Sequence, residues 1–129
     1  MHSPEVARSL RRSWQEIATY YEAGSGLGNW AKLSDFARSV KSKPYAHGLI
    51  SVGTLGCILV FRDAECAAEN GYFLIAGSPT ERTGDIRLGF FTTTEHDPAK
   101  LKGFGDVGPA IEEFERDLAE HGFIPGNRT

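Results

Sequence analysis

Cysteine and methionine are scarce in this chain, two and one among 129 residues, and no apolar run is long. Cys57 falls in a strand-like run and Cys66 in a loop-like one, which is no disulfide framework. The fold is therefore expected to need no covalent staple, and a reducing, cytoplasmic setting is the expected one. The longest uncharged apolar window, Leu49 to Phe61, has 13 residues and is broken by Gly53 and Gly56. A bilayer crossing takes about 20 apolar residues, so no membrane span is expected. Arg8, Arg11, Arg12 and Glu16 stand where a leader peptide would need its apolar core, and none is expected.

A basic surplus is missing too. The formal net charge is −3, and it is unevenly spread. Residues 1–43 hold seven Lys and Arg against four Asp and Glu, while residues 44–129 hold seven against thirteen. A nucleic-acid binder usually needs a basic domain with a clustered cationic face, so no nucleic-acid partner is expected. Nor do the four histidines, His2, His47, His96 and His121, stand at a ligand spacing from one another, and neither a metal nor a cofactor is expected. Gly24-Ser-Gly26-Leu-Gly28 invites comparison with phosphate loops. It follows a helix rather than a strand and is not followed by Gly-Lys-Ser/Thr, so it reads as a linker between helices.

What is present is a sheet. Leu49–Val52, Cys57–Phe61, Tyr72–Ala76 and Ile86–Thr93 are β-branched and aromatic runs of strand length, bounded by glycine or polar turns. Their connections are too short for a helical crossover, which predicts a four-stranded antiparallel meander. The middle two runs are apolar on both faces, which implies cover on both sides, a groove, or a self-association surface. In the last run Ile86, Leu88, Phe90 and Thr92 take one face and Arg87, Gly89, Phe91 and Thr93 the other. An arginine beside an aromatic on a nominally outer face, Arg87 and Phe91, is a pairing found at interfaces and also in a second packed layer.

Helices flank the sheet. Ser3-Pro4-Glu5 predicts a helix start, and Val6, Leu10, Trp14, Ile17 and Tyr21 form one apolar stripe, with Arg8, Arg11 and Arg12 on the outer side. A second helix is predicted from Asn29, as its cap, to about Lys43, before Pro44, burying Trp30, Leu33, Phe36, Ala37 and Val40. Pro109 opens a third, which turns Ala110, Ile111, Phe114 and Leu118 inward and ends at Gly122, with Phe123 and Ile124 folding back on it. The predicted fold is α+β, one domain over residues 1–129 in the order ααββββα, with the helices packed on one sheet face. A chain this size removes about two thirds of its unfolded surface from water.

Function is less legible. The last helix carries Glu112, Glu113, Glu115, Asp117 and Glu120 against Arg116 alone. The helix dipole accounts for acids in the first turn but not for those beyond it. The leading reading is a small non-enzymatic binding module, an inhibitor, an immunity or antitoxin-type protein or an adaptor, that recognises a basic protein through this surface. A second reading is a small-molecule-binding protein or enzyme with a cavity between helices and sheet, using His47, Glu95 or Arg87. A third is a homo-oligomer that buries the second sheet face. Glu95-His96-Asp97 draws notice, but in an extended segment His96 faces away from both acids. Cys66 is the one thiol expected to be exposed; no cation in its own loop would activate it, so no catalytic residue is expected there. The polar loop from Gly77 to Gly84 is the best candidate for a mobile binding loop.

Overall fold

A computed structural model describes residues 11–24, 26, 28–54, 56–62, 66–78, 84–93 and 97–124. Helix α1 (Trp14–Ala23) and helix α2 (Trp30–Lys41) lead through a 3₁₀ turn (Pro44–Gly48) into the sheet. The strands are β1 (Ile50–Thr54), β2 (Cys57–Phe61), β3 (Tyr72–Ala76), β4 (Ile86–Phe91) and β5 (Lys102–Phe104), and helix α3 (Val107–Glu120) follows. All pairings are antiparallel between sequence neighbours, in the order β1-β2-β3-β4-β5.

The sheet has five strands rather than the four expected. Its extra member pairs Ile86 with Phe104, Arg87 with Gly103 and Leu88 with Lys102. Gly103 reads as a chain breaker in the sequence, yet here it permits a close approach: a Cβ at this position would lie 2.5 Å from Oδ2 of Asp85. A three-residue edge strand carrying a lysine and a glycine has too little β-branched or aromatic content to announce itself.

The expected first helix also differs. Arg11 is extended and bridges to Val52 at the edge of β1. The Arg12 N–H donates to the Ser51 carbonyl (3.0 Å), and Ser51 Oγ donates to the Arg12 carbonyl (2.6 Å). These two arginines are exposed, but on an extended segment along the sheet and not on the outer side of a helix. The helix starts instead at Ser13, which forms a capping box: Ser13 Oγ accepts from the Glu16 N–H (3.0 Å), and Glu16 Oε1 accepts from the Ser13 N–H (2.8 Å). That reciprocal pair satisfies two amides that a helix start leaves without partners. Ser3-Pro4-Glu5, Val6, Arg8 and Leu10 lie outside the described residues.

Asn29 occupies the cap position of α2 as expected but makes no capping bond. Its buried amide instead ties the chain leaving β3 to the chain entering β4. Nδ2 donates to the carbonyls of Gly84 (2.9 Å) and Asp85 (3.0 Å), and Oδ1 accepts from the Ser78 N–H (2.7 Å). Three long-range bonds to backbone outweigh one local cap. Lys32 adds a fourth, donating from Nζ to the Gly84 carbonyl at 3.0 Å.

Strand alternation divides the buried residues into two cores. Ile58, Val60, Phe73, Ile75, Ile86 and Leu88 face the helices, where they meet Ile17, Tyr21, Leu33, Phe36, Phe114 and Leu118. The other face gathers Val52, Leu59, Phe61, Tyr72, Leu74 and Phe91, with Cys66 against them. Leu59 is fully buried and Leu74 is 4% exposed, so the second face is covered by the chain itself. Helices α1 and α2 pack side by side through the T-shaped contact of Tyr21 with Trp30 and a hydrogen bond from Ser34 Oγ to the Ala18 carbonyl. The last helix begins two residues before Pro109 and closes as expected: Gly122 takes φ +80°, and the Phe123 N–H reaches back to the Leu118 carbonyl (2.8 Å). Phe123 and Ile124 then pack on the helix-side core.

Candidate functional site

Helix α3 is amphipathic because Ala110, Ile111, Phe114 and Leu118 recur at helical spacing, and burying that stripe fixes which side the acids take. The five carboxylates do not share one fate. Glu113 is largely buried and sits between two cations, accepting from Lys102 Nζ of β5 (2.7 Å) and from Arg116. The Lys102 hydrogen bond holds its carboxyl below the ordinary range despite some burial, and the same bond raises the lysine. Glu115 accepts from the Tyr45 hydroxyl (2.8 Å) and lies 3.3 Å from Lys43 Nζ. Burial first, and then Glu115, push the Tyr45 phenol up. These two acids link the helix to β5 and to the chain after α2.

Glu112, Asp117 and Glu120 differ, since none has an ion pair among the described residues. Glu112 and Glu120 are exposed and Asp117 is half-buried. Burial raises the Asp117 carboxyl, and the charges of Glu113 and Glu120 raise it further, against weaker opposition from Lys102 and His121. Negative potential along this stripe therefore exceeds what the neighbouring cations neutralise.

The structure separates the other sequence-predicted residues. Arg87 is exposed on β4, but Phe91 is 6% exposed and lies beside Tyr72, which stacks on Phe61, so no outward arginine and aromatic pair forms. His47 lies in the 3₁₀ turn before β1, three strand spacings from β4, or roughly 14 Å in the sheet plane. Glu95, with His96, lies outside the described residues, as do residues 79–83 of the loop between β3 and β4. Cys66, expected to be exposed, is buried at φ 56°, with Arg11 Nη2 3.9 Å from its sulfur. That arginine is 55 positions away, so inspection of the loop sequence does not reveal it.

Sequence reasoning missed a cavity of about 460 Å³ between the start of α1, the end of α2 and the start of β1. His47 lines it, with Arg11, Arg12, Trp14, Glu16 and Lys41. One signal was present: Ser13-Trp-Gln-Glu16 is a capping-box pattern, which would have placed the helix start, and the cationic segment before it, at this edge. Among the described residues no helix is long and apolar enough to cross a membrane. Comparison of the chain with protein-family models, with curated proteins and with solved structures gave no match.

Proposed function

We propose that the protein is a non-enzymatic binding module, of the inhibitor, immunity or antitoxin kind or an adaptor, that docks a basic protein on the outer side of α3. The observation that supports this reading is Asp117, a half-buried carboxylate raised by burial and by Glu113 and Glu120 and left without an ion pair among the described residues. Such a group gains from an incoming cation more than a solvated acid does, because its own fold supplies too little opposite charge. Glu112 and Glu120 extend the contact, whereas Glu113 and Glu115 serve the helix's own attachment.

The test is affinity capture from the native cell, followed by binding kinetics with the captured protein. Wild type should retain a basic partner whose on-rate falls between low and physiological ionic strength. Joint Glu112→Lys, Asp117→Lys and Glu120→Lys substitutions should leave the fold intact, since exposed charges contribute little to stability, and should abolish the salt-dependent part of the on-rate. If no basic protein is retained, or if the triple variant binds with unchanged rate and salt dependence, the reading fails.

A further inference from the structure

We propose that the cavity beside the start of α1 is a binding site for small organic anions, molecules that join a carboxylate or phosphate monoester to a compact apolar body. At about 460 Å³ it falls in the size range of small-molecule sites, on the order of 300–1,000 Å³. Its walls come from three places in the chain: the segment from Arg11 to Glu16, Lys41 at the end of α2, and the stretch from Ala46 to Ser51. It shares no residue with α3, so it is independent of the acidic face.

The charge of the lining selects the sign of the ligand. Arg11, Arg12, Lys41 and His47 stand against a single acid, Glu16. That acid is already occupied, because its Oε1 accepts the Ser13 N–H in the capping box. Lys41 and His47 have no side-chain hydrogen bond or ion pair among the described residues, so the fold has not spent their charge. The helix start adds to this. The capping box satisfies the amides of Ser13 and Glu16 and leaves those of Trp14 and Gln15, both in the cavity wall, at the positive end of the helix dipole.

A separate observation comes from Trp14. Its side chain is nine-tenths buried, at 6% exposure, and forms part of the wall, yet its indole N–H has no acceptor. Buried donors are nearly always paired, and an unmatched one at the wall of a cationic cavity is accounted for if an acceptor enters from outside the chain. The Trp14 ring, Ala46, Leu49 and Ile50 make the rest of the lining apolar, which favours an anion with a hydrocarbon body over an inorganic ion.

The indole N–H resonance of Trp14, assigned by loss of its signal in Trp14→Phe, gives a direct readout by NMR. Phenyl phosphate and benzoate are titrated into the wild-type protein, with inorganic phosphate and benzyl alcohol as the anion-only and body-only controls. At least one of the two organic anions should shift the Trp14 indole signal saturably, and the preferred one identifies the headgroup. Both controls should bind at least about tenfold more weakly, as expected when a charge-assisted contact or the apolar body is removed. Lys41→Glu should weaken the preferred anion by a similar factor with the amide spectrum otherwise preserved, and His47→Gln serves if that variant does not fold. The proposal is overturned if neither organic anion shifts the Trp14 signal, if inorganic phosphate binds as tightly, or if the charge variant leaves affinity unchanged.

Discussion

Glu113 and Asp117 are one helical turn apart on α3, and their surroundings push them in opposite directions. Glu113 is held low by Lys102, so its charged form stabilises the fold; that contribution is present above its unfolded-state pKa and is lost as the pH falls through its lower folded-state value. Asp117 is raised, chiefly by burial, so its charged form opposes folding; the penalty is present above its folded-state pKa and disappears as the pH falls through its lower unfolded-state value. Melting temperatures of Glu113→Gln and Asp117→Asn measured against pH should therefore diverge. At neutral pH the first should melt below wild type and the second at or above it, and both differences should shrink at acid pH. A fall in melting temperature for Asp117→Asn at neutral pH would contradict the assignment. At this scale the sequence is partly legible. Five acids on one helix are visible in it, but which of them are neutralised depends on Lys102 and Lys43, which the fold brings in from β5 and from the end of α2.

At the scale of elements, the ends of the helices carry as much information as their stripes. The apolar spacing from Val6 to Tyr21 reads as one continuous helix, yet Ser13 and Glu16 close a cap in its middle and Arg11 pairs with β1. Hydrophobic period alone does not see a break that preserves the phase of the stripe. Ser13→Ala should cost about 1 kcal/mol in chemical denaturation, as the loss of such a cap usually does, and it should leave the sheet unaltered. An effect indistinguishable from zero would mean that Arg12 and Ser51 anchor this start without help from the cap. The four longer strands were legible because they are dense in β-branched and aromatic residues. β5 was not, because its pairing depends on Gly103 lying against Asp85.

Across the whole molecule, the sheet carries a core on each face. The apolar character of both faces of β2 and β3 was visible in the sequence, but not which of cover, groove or self-association it meant; burial of Leu59 and Leu74 answers for cover. Leu59→Ala and Leu74→Ala lie on the face away from the described helices, and each should still cost about 2–5 kcal/mol in urea unfolding, as truncations in a packed core do. Losses below about 1 kcal/mol at both would place that second core outside the cooperative structure.

The neighbour-to-neighbour pairing of β1 through β5 also bears on how the chain is made. No strand waits for a partner from a distant part of the sequence, so a ribosome delivers the sheet in the order in which it zips, after the helical hairpin of α1 and α2 has emerged. The closing piece is α3, which brings Phe114 against Phe36 and Phe73. Until it leaves the exit tunnel, that part of the sheet is wet, and the nascent chain is at its stickiest just before synthesis ends.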